Sequence, residues 1–386
     1  MKSIARTEAT LLTVVVMCFA TTCSSGIASA PVRLNSWNPK AAATYLDRRA
    51  EWWMSWPGAG RDHETFCISC HTALPYALSR SALGGVLGQK GPAPDECRVL
   101  DNVIKRVRLW NEAKPFYGDQ FGANKALESR GTESVLNALI LATFDARNST
   151  LRVDTRAAFR NMWSLQQTTG EESGAWPWLD FGLEPFEAKD SVFYGAALAA
   201  VAVGVAPDSY RQSPEIRGYL KLMRDYLGRE YARQPLSNQA VLLWASSKLP
   251  DLLSPEQQVS LVDGLLSKQQ SDGGWNLSSL SWTWRGSSLK RIAKLWYRSE
   301  NTPFGGKSDG YATGMITYTL EQYGLSRDNA HLQRALDWLG NNQRKSDGRW
   351  PGYSLNHPEE QSPTGLFMSD AASAYAVLAL TASDPH

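Results

Sequence analysis

Two cysteines and a histidine between residues 67 and 71 are the side chains of this sequence best suited to chemistry. Cys67, Cys70 and His71 form the pattern Cys-x-x-Cys-His. Thiols at this spacing add to the two vinyl groups of a porphyrin, and the histidine that follows can bind the iron. The pattern predicts a covalent c-type haem attached through Cys67 and Cys70, with His71 as the metal ligand.

Two other interpretations of these cysteines stay open. Cys67 and Cys70 could form a short disulfide in an oxidising compartment, or could join His63, His71 or Cys97 in a small structural metal site. Of the five cysteines in the chain, three follow residue 30. An odd number fits two thioether cysteines and one remaining thiol better than it fits a disulfide framework.

The second axial ligand of such a haem is left undecided. Met315 and Met368 lie near the starts of predicted helices, and His63 and His357 are further candidates. A methionine ligand raises the reduction potential and would favour electron transfer. An iron with no second ligand would favour ligand binding or peroxide chemistry.

Composition limits the classes of partner. The 386 residues carry a formal net charge of +2 and 20% of them are charged, which gives no electrostatic footprint for nucleic acid. No stretch after the first thirty residues is apolar over the eighteen or so positions that a membrane span needs. We therefore expect a redox partner protein or an apolar small molecule as partner, and no nucleic acid.

The beginning of the chain has the organisation of an export signal. Lys2 and Arg6 precede an apolar run at residues 11–20, and small residues follow up to Ala30. The sequence therefore predicts a signal peptide at residues 1–30 and a single mature domain at residues 31–386. The mature protein is expected in the periplasm or outside the cell.

Pairs of predicted helices hold the cysteine motif and repeat along the chain. The first helix of each pair is polar or mixed, and the second is small and apolar nearly all round, as expected of a helix buried between an outer layer and a central cavity. The outer helices are predicted near residues 41–56, 97–112, 151–166, 214–228, 255–269 and 328–341. The inner helices are predicted from the cysteine motif to about residue 83 and near residues 132–144, 191–204, 238–248, 311–323 and 369–382. Six such hairpins can close into a ring, so the sequence predicts an all-α fold, a single (α/α)6 toroid.

A second repeat lies at the ends of the outer helices. A glutamine is followed by a glycine and then by a tryptophan at residues 166–176, 269–275 and 343–350. This pattern resembles the QW motif of the squalene cyclase and protein prenyltransferase superfamily, whose members are α/α toroids. The resemblance implies the toroid fold, with Gly273 in a left-handed backbone conformation and with stacked glutamine and tryptophan side chains tying one hairpin to the next.

The resemblance does not extend to the activity of those enzymes. Squalene cyclases have two toroids and an Asp-x-Asp-Asp box that protonates the substrate, whereas this chain has residues for one toroid and lacks the box. Nothing in it resembles the zinc-binding residues of the prenyltransferases. We expect no cyclisation of squalene, because a fold without the catalytic box does not carry the activity.

Polar residues at the starts of the inner helices are expected to ring one mouth of the toroid together with the cysteine motif. Such residues cap helices more often than they act as general acids. They are Glu133, Asp190, Asn238, Asp309 and Asp370. The loop at residues 176–190 is rich in aromatic and acidic side chains, and it either lines a cavity for haem or an apolar ligand or forms a packed lid.

The segment at residues 287–299 is basic and amphipathic. It carries Lys290, Arg291, Lys294 and Arg298 without an acidic residue among them, and apolar side chains fall on another helical face. A helix of this kind can lie on an anionic membrane, and the alternative is an ordinary charged surface helix. Peripheral membrane contact through this segment stays open.

These observations lead to one functional hypothesis and one alternative. The hypothesis is an exported c-type haem protein on a squalene cyclase-like toroid that acts in electron transfer or redox chemistry. The alternative is an enzyme or binding protein for a terpenoid or other apolar ligand in the toroid cavity.

Overall fold

Helices of small apolar residues form the centre of the computed structural model, and amphipathic helices surround them. The structure describes residues 37–146, 150–281, 307–353 and 365–382. These ranges belong to one compact unit that spans residues 32–386. In chain order, each outer helix and its inner partner are α1 (Pro39–Ser55) and α2 (Ala73–Val86), α3 (Pro94–Arg108) and α4 (Lys125–Asp145), α5 (Val153–Ser164) and α6 (Ser191–Gly204), α7 (Arg217–Glu230) and α8 (Leu236–Lys248), α9 (Pro255–Leu266) and α10 (Gly310–Tyr323), and α11 (Ala330–Asn341) and α12 (Phe367–Thr381).

The inner helices close into a ring. Helix α2 packs on α4, α4 on α6, α6 on α8, α8 on α10 and α10 on α12, and α12 packs back on α2. Each outer helix packs against inner helices from outside the ring, as α5 does against α4 and α11 against both α10 and α12. The predicted single (α/α)6 toroid is therefore confirmed.

Helix α6 shows why the inner helices take this position. Its residues 193–204 are all buried, and alanine, valine and glycine make up most of them. A helix that is apolar on every face has no side to turn to water and is stable only when surrounded. Small side chains also permit close approach: a Cβ atom on Gly195 would lie 2.2 Å from the ring of Trp178.

Most helix boundaries lie within a few residues of their predicted positions, and α4 is the main exception. It begins at Lys125 rather than near residue 132. Its first two turns are polar in sequence, but they pack under the loop at residues 176–190. Lys125 Nζ donates to the carbonyl of Asp180 at 2.6 Å, and a Cβ on Gly131 would lie 2.0 Å from the carbonyl oxygen of Pro177. Tertiary contacts rather than local pattern extend this helix.

The three QW motifs connect neighbouring outer helices through hydrogen bonds. Gln343 Nε2 donates to the carbonyls of Gly348 and Asn38 at 2.8 and 3.0 Å, and its Oε1 accepts from the Asn38 N–H at 2.6 Å. Asn38 caps α1, so this contact joins the last outer helix to the first. The equivalent bonds of the other two motifs run from Gln166 to Gly174 and Tyr219, and from Gln269 to Gly273 and His331. The indole N–H groups of Trp176, Trp275 and Trp350 donate to the carbonyls of Met162, Leu265 and Leu339 in their own outer helices.

The glycine of each motif is required by its backbone conformation and by a close contact. Gly273 has φ +95°, as predicted, and Gly348 has φ +82°. A Cβ on Gly348 would lie 2.3 Å from the carbonyl oxygen of Ala41 in α1. The backbones of successive outer helices meet at these glycines without an intervening side chain.

Replacing Gly348 with alanine should weaken the closure of the ring. A left-handed alanine costs about 1–2 kcal/mol, and forcing a methyl group into a packed contact adds about 1–3 kcal/mol. We expect Gly348→Ala to lower the free energy of unfolding in urea by about 2–5 kcal/mol. Gly170→Ala is the matched control, because Gly170 has φ +80° but nothing within 4 Å of its Cβ position. Equal losses in the two variants would show that the contact with α1 contributes nothing.

Three further predictions concern membrane spans, the signal peptide and the basic amphipathic segment. Within the described ranges, no helix combines the length and the apolar character needed to cross a membrane. The signal peptide at residues 1–30 and the basic segment at residues 287–299 lie outside those ranges, so both stay predictions.

Candidate active site at the centre of the toroid

A short β-hairpin delivers the cysteine motif to the start of α2. Strand β1 (Gly60–Arg61) pairs with strand β2 (Thr65–Phe66) in antiparallel register. The chain then turns inward, where the Trp53 indole donates to the carbonyl of Cys67 at 2.6 Å. The Ser69 hydroxyl oxygen accepts from the Ala73 N–H, the first of α2, at 2.9 Å.

The three residues of the motif are core residues. Cys67, Cys70 and His71 are 4%, 1% and 5% exposed. The imidazole of His71 stacks on the ring of Phe367 with centroids 3.6 Å apart and meets the Trp53 ring edge-on at 5.2 Å. Burial raises the pKa of the Cys67 thiol to about 12 and lowers the pKa of His71 to about 3. Both thiols and the imidazole are therefore neutral at pH 7.

Covalent haem attachment through these residues stays a prediction. A macrocycle joined to both sulfurs would have to lie against Cys67, Cys70 and His71 together. The ring of Phe367 stacks on a face of the imidazole, whereas iron binds a ring nitrogen in the imidazole plane. The Cys70 thiol shares a hydrogen bond with Glu187.

The other ligand candidates give no alternative centre. Met315 and Met368 are buried in α10 and α12, and His63 lies in the hairpin turn with 41% of its side chain exposed. His357 lies outside the described residues. Cys67, Cys70 and Cys97 are free thiols. In the described part of the chain, no group of three or more histidine, cysteine, aspartate or glutamate side chains is arranged to hold a metal ion.

Haem attachment can be measured directly. For mature protein made together with a cytochrome c maturation system, covalent haem predicts an intact mass increased by one haem and a sharp α band in the reduced spectrum. The intact mass of the bare polypeptide would contradict this prediction. Cys67→Ser with Cys70→Ser is the control that removes any attachment.

Most buried carboxylates near the inner helix starts have structural partners. Glu133 accepts hydrogen bonds from Arg106 Nε and Nη2 at 2.5 and 3.0 Å, and Asp370 accepts from Arg49 Nε and Nη2 at 2.7 and 2.9 Å. The prediction of helix caps is wrong for these two residues, since each is an ion-pair partner. It is confirmed for Asp309, whose Oδ1 accepts from the Ala312 N–H at 2.9 Å at the start of α10. Asp190 takes the cap position of α6 without a side-chain bond, and the Asn238 side chain donates to the carbonyl of Asp190.

Glu187 differs from the other buried carboxylates. It is 7% exposed, and its carboxyl shares a hydrogen bond with the Cys70 thiol rather than with an arginine or lysine. Burial raises the pKa of Glu187 to about 7, an effect that the Cys70 hydrogen bond and the charge of Lys125 oppose. Among the described residues, Glu133, Asp145, Glu321 and Asp370 are paired with arginines, and Glu96 and Asp309 accept backbone N–H groups.

The loop that carries Glu187 is a packed lid over this end of the ring. The Trp178 indole donates to the carbonyl of Phe186 at 2.9 Å, and the Leu179 N–H donates to Thr132 Oγ1 at 2.9 Å. Phe186 lies inside, with its ring centroid 5.3 Å from that of Tyr311 and 6.4 Å from that of His71. Of the two interpretations of this loop, the lid is correct. Glu187, one of the acidic residues of this loop, is buried.

Three tyrosines complete the centre. Tyr194, Tyr311 and Tyr375 lie on α6, α10 and α12, and the rings of Tyr311 and Tyr375 have centroids 5.7 Å apart. Burial raises the pKa of all three phenols, and the nearby Cys70 adds to this effect. These residues belong to no recognised motif of the sequence. The available signal was a tyrosine in the first half of α6 and α10 and near the middle of α12.

A surface groove adjoins the lid. It encloses about 400 Å³ between the start of α6, the end of α7 and the loop before α8. Charged side chains of both signs line it, with Tyr226 and Phe193 at its base. The lining residues are Glu171, Glu172, Lys189, Asp190, Val192, Phe193, Tyr226, Arg229, Glu230, Arg233 and Gln234.

Comparisons with known proteins find a similarity in fold. No family model and no curated protein matches this chain. Among solved structures, a polysaccharide lyase matches at 13% identity and TM-score 0.50, covering 89% of this chain and 97% of the other. Unsaturated glucuronyl hydrolase from Bacillus sp. GL1 matches at 10% identity and TM-score 0.51, covering 88% and 94%. An α-1,6-mannanase of Salegentibacter sp. HEL1_6 matches at 10% identity and TM-score 0.50, covering 89% and 99%.

The hypothesis of a haem protein for electron transfer is wrong. The lyase, the hydrolase and the mannanase named above are carbohydrate-active enzymes. The alternative of a terpenoid or other apolar ligand finds no support among these structures either. The centre holds thiols, a carboxyl and phenols beside its aromatic rings.

Proposed function

We propose that this protein is a carbohydrate-active enzyme that cleaves a glycosidic bond, with Glu187 as the general acid. The observation that carries the proposal is the buried carboxyl of Glu187 with a pKa of about 7 and no cationic hydrogen-bond partner. About half of such groups hold a proton at neutral pH, which suits proton donation to the oxygen of a leaving sugar. Glycosidases raise the pKa of their acid in the same way, by burial.

The phenols do not supply the base that an elimination needs. A lyase needs a base that abstracts a proton from carbon, and a tyrosine serves only when its pKa is lowered. Burial raises the pKa of Tyr194, Tyr311 and Tyr375 instead. These hydroxyls remain protonated and suit hydrogen bonding to sugar oxygens.

The surroundings support a glycan as substrate. The groove beside the lid presents charged groups of both signs with Tyr226 below them, and such a surface can hydrogen-bond a sugar chain and stack on its ring. A polysaccharide lyase, a mannanase and a glucuronyl hydrolase share the toroid, which supports the class of substrate but not its identity. The expected signal peptide at residues 1–30 agrees with action on glycans outside the cytoplasm.

The QW motifs support a separate proposal about ancestry. We propose that the repeats are related to those of the squalene cyclase and prenyltransferase superfamily. The support is that Gln166, Gln269 and Gln343 make equivalent hydrogen bonds to the next outer helix. This relationship concerns the scaffold, and the site chemistry is argued from Glu187.

The test is release of reducing ends from a panel of neutral and acidic polysaccharides by the purified mature chain. We expect release from at least one polysaccharide, without the ultraviolet-absorbing unsaturated ends that a lyase leaves. Release that is unchanged in Glu187→Gln would contradict the assignment of the acid. Unsaturated products would contradict hydrolysis.

A further inference from the structure

The groove beside the lid has a hydroxyl at its base that the protein leaves unbonded. Tyr226 lies on α7, lines the groove and is only 4% exposed. Within the described ranges its hydroxyl forms no hydrogen bond, and it is not one of the unpaired side-chain atoms that are closed off from solvent. The small exposed part of Tyr226 therefore includes the hydroxyl. A ligand that displaces water from the groove must offer this hydroxyl a new partner.

The Tyr226 hydroxyl keeps its proton at pH 7. Burial raises the pKa of this phenol, and the negative charges of Glu172 and Glu230 add to the effect while Arg229 opposes it. All three of these residues line the groove, so the hydroxyl lies within range of the charges that would surround a ligand. A protonated phenol can donate one hydrogen bond and accept others.

Two of the three cationic groups in the lining are already engaged. The Glu230 carboxylate accepts from Arg229 Nε at 3.2 Å and from Arg233 Nη1 at 3.3 Å. Arg229 Nη2 also donates to the carbonyl of Glu171 at 2.7 Å. An anionic ligand would have to compete with Glu230 for both guanidinium groups, and Lys189 is the remaining cation of the lining.

The lining has more free acceptors than free cations. Its four carboxylates belong to Glu171, Glu172, Asp190 and Glu230. In the described part of the chain, Glu171 and Asp190 accept hydrogen bonds through their backbone carbonyls, and their carboxylates take none. Glu172 uses Oε2 to accept from Gln167 at 2.9 Å. A ligand with hydroxyl or amino groups therefore finds acceptors, whereas a ligand with carboxylate or sulfate groups meets like charges.

We infer that this groove is a binding subsite for a glycan free of carboxylate and sulfate groups, with the Tyr226 hydroxyl as a hydrogen-bonding group at its base. A sugar hydroxyl can accept from Tyr226 and donate to a nearby carboxylate, which satisfies both partners. The choice of a glycan rests on the proposed function, whereas the choice of its charge rests on the groove. Phe193 faces the groove and Tyr194, the next residue, faces the centre, so the subsite adjoins the proposed site of cleavage.

Binding to polysaccharides of different charge tests the inference. The mature Glu187→Gln variant is titrated by calorimetry with uncharged α-mannan, β-glucan and galactan, and with polygalacturonate and chondroitin sulfate. We expect at least one uncharged polysaccharide to bind about fivefold or more tightly than either acidic one. Tightest binding to an acidic polysaccharide, or binding to none of the five, would overturn the inference.

The role of the hydroxyl is tested in the same background. Tyr226→Phe keeps the ring and should raise the dissociation constant of the uncharged polysaccharide about two- to tenfold, as expected for the loss of one hydrogen bond. Tyr219→Phe is the matched control, because Tyr219 lies on the same helix but stacks on Trp163 outside the groove. An unchanged dissociation constant in Tyr226→Phe, or equal changes in the two variants, would overturn the assignment of Tyr226.

Reversing one charge tests the selectivity without touching the buried base. Glu171 is exposed, so Glu171→Lys should fold, and it should tighten binding of polygalacturonate about two- to threefold at low salt and less at high salt. No change would overturn the role of the carboxylates. Selective binding of an uncharged polysaccharide that the wild type does not cleave would refute the proposed function and leave the subsite standing. Cleavage of an acidic polysaccharide that binds most tightly would do the reverse.

Discussion

In the Glu187→Gln variant we expect kcat for polysaccharide cleavage to fall by about 10²–10⁴-fold, which is the usual contribution of one general acid. Glutamine has nearly the same shape and can still bond to Cys70, but it has no proton to donate. Glu184→Gln is the matched control, since Glu184 lies in the same loop and is more exposed. Its kcat should stay within about twofold of the wild type, because it touches none of the central groups. Similar losses of kcat in both variants would mean that activity depends on the loop as a whole and not on the Glu187 carboxyl.

The pH dependence of the wild type and of Glu187→Gln gives an independent measurement of the role of this carboxyl. The acid acts in its protonated form, so wild-type activity should decline as pH rises through about 7, the pKa of Glu187. The same pKa affects stability. Burial raises this pKa from its ordinary value of 4.5, so the free energy of unfolding of the wild type falls as pH rises from 4.5 through about 7. The decrease is about 3 kcal/mol, and Glu187→Gln should not show it. A variant less stable than wild type at pH 8 would contradict this.

Replacing Arg106 with methionine should lower the free energy of unfolding by about 3–5 kcal/mol. Arg106 is fully buried and donates to both oxygens of Glu133, to Thr65 Oγ1 at 2.8 Å and to the carbonyl of Lys114 at 2.8 Å. Without it, the ionised Glu133 would remain in the interior with only Arg130 at 3.3 Å. Breaking a buried pair costs more than removing both charges, because the remaining ion keeps its desolvation penalty.

Arg108 provides the control for that experiment. It lies on the same helix and pairs with Asp154 at 2.8 and 2.9 Å, but 66% of its side chain is exposed. Arg108→Met should leave the urea midpoint of unfolding nearly unchanged, because solvent screens an exposed ion pair. The double variant Arg106→Met with Glu133→Leu should be more stable than Arg106→Met alone. Equal effects of Arg106→Met and Arg108→Met would show that the buried pair contributes no more than a surface one.

The fold was predictable because its signals are local. Helix α6 is apolar on every face over a continuous stretch, and Gln269 to Trp275 carries its glycine at the one position where the backbone turns left-handed. Such features depend on residues within one or two turns of each other. The early start of α4 was not predictable, because it depends on a loop about fifty positions further along the chain.

The chemistry of the centre was less predictable, because it depends on which side chains come into contact in the folded chain. Asp370 and Glu187 look alike in sequence, each an acid near the start of an inner helix. Asp370 meets Arg49, which lies 321 positions away, whereas Glu187 meets the Cys70 thiol. Only the first partner is a cation, so the two acids differ in their surroundings. The spacing of the Cys-x-x-Cys-His pattern likewise does not reveal that Phe367, which lies almost three hundred positions away, stacks on His71.

The bond between Gln343 and Asn38 spans 305 positions and has a consequence for how the chain is made. Helices α1 and α2 leave the ribosome first, and the α12 surface that covers α2 leaves it last. Until then, the growing protein exposes two apolar flanks that can pair wrongly with each other or with another copy. An open array of helical repeats tolerates the loss of a terminal unit, because each repeat depends only on its neighbours. In a closed ring every hairpin has two neighbours, so removing any one leaves both flanks bare, and the number of repeats is set by geometry.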